Sequence, residues 1–486
     1  MSKETDTVLM KTPFFVGDNI HEVYFIGIGG IGMSAVARFF HSKGVKVSGY
    51  DKTVTALTKE LESSGIAIHY EENIDLIPKD AQLVVYTPAV PKDHKELVYF
   101  QLHGNKVVKR SDVLQLISEK SFNICIAGTH GKTTITTMVA HLLRDTGFGC
   151  NAFLGGISVN YGTNFWSDPK NICVIEADEY DRSFLKLSPD IAIITAMDAD
   201  HLDIYGDAES VEQAFIDFSK KVKAGGLLIR KFGLKRGKEL SAEPGGPDRR
   251  LTYSLLRESF GQNDGADVYA TNIRMMNGSY EFDVMMKDNM LANVVLNMGG
   301  MHNLENVIAA IAVASSLGIE NDKIKAAVKS FRGVKRRFEY IIKNENLVFI
   351  DDYAHHPEEL RALINGAKTL FKDRKCTVIF QPHLYTRTRD FADGFAEVLD
   401  MADEVILLPI YPARELPIEG MTSQVILDKM GNPNKSVKTK EELMNWIKND
   451  YAGNMNGEFG NILITAGAGD IDSLVEVIKE SLNQNL

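Results

Sequence analysis

At 486 residues the chain is too long for a single hydrophobic core, and its length suggests about three domains. An apolar fraction of 44% and a charged fraction of 24% fit a soluble globular protein, while a net charge of −11 excludes the broad basic surface that nucleic acid requires. Four scattered cysteines, a polar Met1–Thr7 start and no apolar run of membrane-spanning length predict a cytoplasmic protein with reduced thiols and no membrane insertion.

The first segment, residues 1–119, opens with the strand Val23–Ile26. It runs into Gly27-Ile28-Gly29-Gly30-Ile31-Gly32 and a helix from Met33 to His41. A second strand, Val45–Tyr50, ends at Asp51, where a ribose-binding acid falls in dinucleotide folds. The obvious ligand is a nicotinamide cofactor. A lone pattern of this kind certifies only a diphosphate near a helix N-terminus, and a tight strand-helix turn with no ligand also fits it.

The second segment, residues 120–332, begins with an apolar strand that breaks into Gly128-Thr129-His130-Gly131-Lys132-Thr133-Thr134 and then a helix. Glycines here turn backbone N–H groups toward an anion, Lys132 can reach terminal phosphates, and Thr133 can hold a Mg²⁺. The spacing is short: Gly128 precedes Gly131 by three positions, against five in the usual nucleotide loop. Alternating strands at Ile172–Ile175, Ile191–Ile194 and Leu227–Ile229 predict a mostly parallel sheet. The first of these ends on Glu176-Ala177-Asp178-Glu179, and Glu176, nearest the tip, is the better candidate for a Mg²⁺ carboxylate. The second ends on Asp198-Ala199-Asp200-His201-Leu202-Asp203, which suggests another cation. Lys231–Asn263 reads as loop, and Val268–Met286 as a hairpin across Asn277-Gly278. Asn303 and Asn306 open a long helix; the first suits a helix cap, and the pair could instead read a purine edge.

Lys335-Arg336-Arg337 joins this segment to the third, residues 333–486. A basic linker is ordinarily solvated, yet it can also deliver a cation to a γ-phosphate. The third segment is α/β again, with polar clusters after strands at Asp351-Asp352-Tyr353-Ala354-His355-His356 and Gln381-Pro382-His383-Leu384-Tyr385-Thr386-Arg387. A third glycine turn, Gly467-Ala468-Gly469-Asp470, follows the last strand.

Taken together, GIGGIGMS at Gly27, AGTHGKTT at Ala127, EADEYDRSFL at Glu176, DADHLD at Asp198, GMHNLEN at Gly300, RRF at Arg336, DDYAHHP at Asp351, FQPHLYTRT at Phe380 and GAGDI at Gly467 resemble the Mur ligases of peptidoglycan synthesis. The resemblance runs from Gly27 to Asp470. It implies an α/β protein of three domains: a Rossmann-like UDP-sugar domain, a central P-loop ATPase, and a C-terminal Rossmann-like domain for the amino acid. The first glycine loop, Gly27, Gly29, Gly30 and Gly32 with Asp51, then becomes a UDP-diphosphate site. Within the family, the resemblance implies the ADP-forming enzyme that joins L-alanine to UDP-N-acetylmuramate.

By the same resemblance Gly128–Thr134 hold ATP, with Thr133 and Glu176 on one Mg²⁺ and His201 on a second. Asn303 and Asn306 face adenine, Asp352 the ribose and Arg337 the γ-phosphate. Tyr353, His355 and Arg387 face alanine and the acyl end; the protein is expected to be a monomer or homodimer. Three positions depart from the family pattern. Ala196 stands in place of Asn, Leu384 in place of Arg, and Pro412-Ala413-Arg414-Glu415 replaces an Ala-Gly-Glu turn, so the alanine clamp keeps one arginine of two. The rival readings are a ligase that recycles a whole tripeptide onto the same sugar, a nicotinamide oxidoreductase, and a nucleotide-binding regulator without turnover.

Overall fold

A computed structural model describes residues 20–199, 202–240, 249–256, 265–287, 289–413, 415–452 and 459–483. Asp200, His201 and Arg414, singled out above, lie outside the described residues.

The fold is α/β throughout, built on three sheets. Strands β1 (Glu22–Ile26), β2 (Lys46–Tyr50), β3 (Ala67–His69), β4 (Leu83–Tyr86) and β5 (Val107–Lys109) form a parallel sheet in the order 3-2-1-4-5. The order reverses beside β1, whose C-terminal end carries the first glycine loop, and that is where open α/β sheets bind ligands.

The central sheet has ten strands: β6 (Phe122–Ala127), β7 (Asn151–Ser158), β8 (Thr163–Trp166), β9 (Ile172–Glu176), β10 (Ile191–Ile194), β11 (Leu227–Lys231), β12 (Arg249–Ser254), β13 (Val268–Met276), β14 (Ser279–Met286) and β15 (Asn289–Leu296). Their order is 15-14-13-12-11-10-6-9-7-8, so β6 lies between the two acid-tipped strands β9 and β10. Buried on both faces, these three strands read as near-continuous apolar runs, with Asn123 in β6 and Glu176 at the tip of β9 the polar exceptions. Part of the stretch read as loop is strand: β12 pairs in parallel with β11, Leu227 opposite Arg249. Its Arg-Arg-Leu-Thr-Tyr-Ser composition hides an edge-like, half-polar strand that only a neighbouring strand makes regular. The antiparallel pair β7 and β8 is likewise illegible locally.

The third sheet comprises β16 (Glu339–Lys343), β17 (Leu347–Asp352), β18 (Lys375–Phe380), β19 (Glu404–Leu407), β20 (Lys435–Val437) and β21 (Asn461–Ala466), in the order 16-17-21-18-19-20 with only β16 antiparallel.

The chain divides into two compact units. One comprises the described residues up to Asn272 with Asp283–Val294 and Glu305–Ser330; the other comprises Ile273–Phe282, Val295–Leu304 and the described residues from Phe331. In the first unit, Phe39 of the helix Ile31–Ser42 packs on Phe153 and Phe165 at 5.4 and 6.1 Å, which seats the first glycine loop against the central sheet. Asn164 adds a hydrogen bond to Ser34 Oγ at 2.9 Å.

The hairpin across Asn277-Gly278 forms as expected, with φ of 43° and 76° at its two central residues, the signature of a type I′ turn. In the second unit its tip is tied down. Tyr340 donates to the Gly278 carbonyl at 2.9 Å, and a Cβ on Gly278 would lie 2.2 Å from the Phe371 ring. Gly278→Ala is therefore expected to cost about 1–3 kcal/mol by overpacking, with roughly 1 kcal/mol more from the left-handed φ. Thermal unfolding checks this, and an unchanged Tm would mean the tip is not held against Phe371.

Asn303 does not cap its helix. The helix spans Met301–Ser316 after Gly300 at φ +88°, and Asn303 within its first turn donates through Nδ2 to the Gly299 carbonyl at 2.7 Å. Glycine alone takes that φ without strain, so the start moves upstream of the polar residue.

Candidate active site

The phosphate cradle grows from the end of β6. Gly128 adopts φ +138°, and a Cβ there would meet Thr195 Oγ1 at 2.0 Å, because the tip of β10 presses directly on the loop. Thr195 donates to the His130 carbonyl, Thr129 N to Ala196 O at 3.3 Å, and Asp198 N to Thr129 Oγ1 at 3.2 Å. Position 196 thus serves the loop through its backbone, which alanine supplies as well as asparagine. Gly131, at φ +80°, precedes the helix Lys132–Asp145, whose N-terminus carries Lys132, Thr133 and Thr134. A Cβ on Gly131 would lie 3.0 Å from Asn306 Oδ1, so that amide stands beside the loop. His130 is exposed, 3.7 Å from Asp198.

Glu176, the last residue of β9, and Glu179 both reach the cradle, each to a different residue. Thr133 Oγ1 donates to Glu176 Oε1 at 2.9 Å, and Glu176 Oε2 accepts from Gly155 N at 3.0 Å. Lys132 Nζ donates to Glu179 Oε1 and to the Gly128 carbonyl, both at 2.7 Å.

The first glycine loop is shaped by its neighbours. Gly27 and Ile28 N donate to the Tyr50 carbonyl at 2.8 and 3.0 Å, while the Asp51 carboxylate accepts from Gly29 N at 2.8 Å and Thr53 N at 3.1 Å. Asp51 therefore also holds the loop itself. Sequence reading missed Arg110: a Cβ on Gly32 would sit 1.9 Å from its Nη1, and its guanidinium lies 3.7 Å from Asp178. Gly32 and Arg110 line one cavity of about 110 Å³ together with Gly155, Glu176 and Asp178. The cavity lies beside the first glycine loop and reaches Glu176, whose carboxylate accepts from Thr133 of the second loop.

In the second unit, Arg336 adopts φ +61° and is committed to structure, donating to the Gly467 carbonyl and lying 3.3 Å from Asp472 and 3.6 Å from Asp351. Burial pushes Asp351 up to about 7, and Thr465 donates to it at 2.6 Å. The neighbouring Arg337 is exposed, and its charge lowers Asp352. Burial nonetheless raises Asp352 to about 6, even with N–H donors from Phe338 and Ala354 at 2.7 Å.

Tyr353 and His355 lie with their rings 5.3 Å apart, and His355 Nδ1 bonds the Tyr353 carbonyl at 2.9 Å. Arg387 Nη1 reaches His383 Nδ1 at 3.4 Å, and His383 stacks on Tyr411 at 5.9 Å. Burial first, then the Arg387 charge among others, pushes both histidines below the usual range, which favours neutral rings at neutral pH. His383 and Tyr411 were not assigned from sequence, although His383 sits in the FQPHLYTRT stretch. Leu384 holds φ +70° and donates its N–H to the Tyr411 carbonyl at 2.9 Å, so the backbone at this position, not a cationic side chain, shapes the turn.

Three family models match consecutive segments: the Mur ligase family catalytic domain over residues 22–121, the Mur ligase middle domain over 126–314, and the Mur ligase glutamate ligase domain over 336–469. The UDP-N-acetylmuramate–L-alanine ligase of Flavobacterium johnsoniae is 47% identical over 475 residues, covering 96% of this chain and 99% of that protein. The enzyme of the same name from Cytophaga hutchinsonii is 46% identical over 471 residues, covering 95% and 97%. Among solved structures, UDP-N-acetylmuramate-alanine ligase from Thermotoga maritima aligns with a TM-score of 0.78 at 29% identity over 96% of this chain and 100% of that one. A murein peptide ligase from Psychrobacter arcticus shares the fold, with a TM-score of 0.63 at 23% identity over 96% and 98%. With its three-domain architecture and near full-length relatives, the chain belongs to the Mur ligase family.

Proposed function

We propose that this ligase joins L-alanine to the lactyl carboxylate of UDP-N-acetylmuramate with conversion of ATP to ADP and phosphate. Residues 1–119 bind the UDP-sugar, 120–332 bind ATP and 333–486 bind alanine, in a cytoplasmic setting. No helix among the described residues is long and apolar enough to cross a membrane. The observation that carries the reading is the cavity beside the first glycine loop, which Gly32 and Arg110 line together with Glu176, the residue that accepts from Thr133 of the second loop. A sugar diphosphate on the first loop then extends toward Glu176, next to the loop that takes the nucleotide. The family assignment sets aside the nicotinamide reading of Gly27–Gly32.

In the reaction, the lactyl carboxylate oxygen attacks the γ-phosphorus and the bond to ADP breaks. The alanine amine, having shed a proton, then attacks the acyl carbonyl, and phosphate leaves. Lys132 and the loop N–H groups offset the negative charge, so catalysis is largely positional and electrostatic. Thr133 and Glu176 suit Mg²⁺, a hydroxyl and one carboxylate 2.9 Å apart, leaving other positions to water and phosphate oxygens. Held there, such an ion would supply positive charge against the repulsion between phosphates and a carboxylate. His201 is the proposed ligand of a second. Asn303 and Asn306 serve adenine, Asp352 the ribose, Arg337 the γ-phosphate, and Tyr353, His355 and Arg387 the amino acid.

Phosphate release is the direct test. UDP-N-acetylmuramate and ATP are supplied with L-alanine, glycine, L-serine or the murein tripeptide. Release driven by L-alanine is expected; release by tripeptide alone would make this the recycling ligase. A second expectation concerns Gly155, where a Cβ would lie 2.2 Å from Glu176 Oε2. Gly155→Ala pushes that carboxylate away from Thr133 and is expected to lower kcat by about 10²-fold. Unchanged kcat would show that Glu176 holds no metal.

A further inference from the structure

Glu179 is 1% exposed, its Oε1 accepts from Lys132 at 2.7 Å, and its Oε2 is buried with no hydrogen-bond partner. A buried carboxylate so poorly satisfied is costly, and Lys132 is the cation that keeps it tolerable. Its backbone is fixed as firmly as its side chain. The Glu179 carbonyl accepts from Tyr205 Oη at 2.7 Å and Arg182 N at 2.9 Å, in a turn where Asp181 and Arg182 both hold left-handed φ of 51° and 61°. The Arg182 guanidinium lies over the Tyr205 ring at 5.0 Å. Non-glycine residues persist in that conformation only where surrounding contacts over-determine it.

An ammonium has three N–H donors. Lys132 gives one to the Gly128 carbonyl and one to Glu179, which leaves one for a phosphate oxygen. We infer that Glu179 is the positioning residue of Lys132: it aligns the ammonium over the cradle and, as a second buried anion, weakens ground-state binding of nucleotide. This rests on the ATP-dependent reading above. Such an arrangement sacrifices affinity for alignment, since only interactions stronger in the transition state raise kcat.

Two measurements separate this from a purely structural role. ATP affinity is measured by calorimetry without sugar or amino acid, and kcat by phosphate release. Glu179→Gln removes the charge and keeps the shape; ATP is expected to bind at least about threefold tighter while kcat falls about tenfold or more. A folding defect weakens binding and cannot tighten it. Affinity equal to or weaker than wild type overturns the inference. Should that variant not fold, Glu179→Asp keeps the charge on a shorter arm: ATP affinity is expected within about twofold of wild type with kcat reduced, and an unchanged kcat overturns the inference. Because ATP binding is read alone, a wild type that binds ATP but does not ligate alanine sinks the proposed substrates and leaves the Glu179 assignment standing.

Discussion

Lys132→Ala is expected to abolish ligation, by about 10³-fold or more in kcat, while UDP-N-acetylmuramate binding stays within about twofold. The sugar diphosphate is assigned to a loop built from Gly27–Gly32 and Asp51, which shares no hydrogen bond with Lys132. The same substitution should destabilise the fold. It strips the buried Glu179 of its cation, and breaking a buried pair costs about 3–5 kcal/mol. Lys132→Ala/Glu179→Gln should then recover much of the lost Tm without recovering turnover, since the anion and the cation disappear together. Sugar binding, ligation and Tm measured on one preparation decide it. Comparable loss of sugar binding would show that the two glycine loops have been assigned the wrong way round.

Arg387→Ala should lower kcat/KM for L-alanine by about 10²–10⁴-fold, the kinetic equivalent of roughly 3–5 kcal/mol for an α-carboxylate left without its partner. Position 384 of this stretch carries a leucine, so Arg387 is the cation nearest to His383. Among the described residues no acidic side chain pairs with Arg387, whose Nη1 lies 3.4 Å from His383 Nδ1. Its charge is thus available to a bidentate carboxylate. Arg389, the next cation along, is already paired with Asp390 at 2.8 Å. ATP affinity should barely change. The check is alanine titrated at saturating ATP and UDP-sugar, and a fall of less than about tenfold would transfer the carboxylate to another cation.

The cradle was legible because its constraints are local. An apolar strand, two glycines at positive φ, a lysine and a hydroxyl at a helix N-terminus lie within one short stretch, and adjacent residues alone fix that strand-turn-helix. Glu176 could also be singled out, since it ends the strand next to the cradle strand, and in the fold it accepts from Thr133 at the helix N-terminus. The choice between Glu176 and Glu179 was framed as one role for two candidates. The fold gives them two partners, Thr133 and Lys132, because the chain turns sharply after β9 through Asp181 and Arg182. No periodicity signals a turn held by left-handed non-glycine residues.

What the sequence determined by itself is therefore the set of short-range devices: α/β class, two glycine loops, the type I′ hairpin at Asn277-Gly278 and the polar strand tips. Tertiary structure alone decided which of these devices meet. Gly155 lies 21 residues before Glu176, Lys132 lies 47 before Glu179, and Arg110 packs on Gly32 from a separate helix. It also made β12 a strand and moved the start of the Asn303 helix to Met301. The physical reason is one of range. Backbone dihedrals and hydrogen-bond periods are set by adjacent residues, whereas a side chain's partner depends on the order 10-6-9-7 in which the strands assemble, and that order comes from burial shared across the whole sheet.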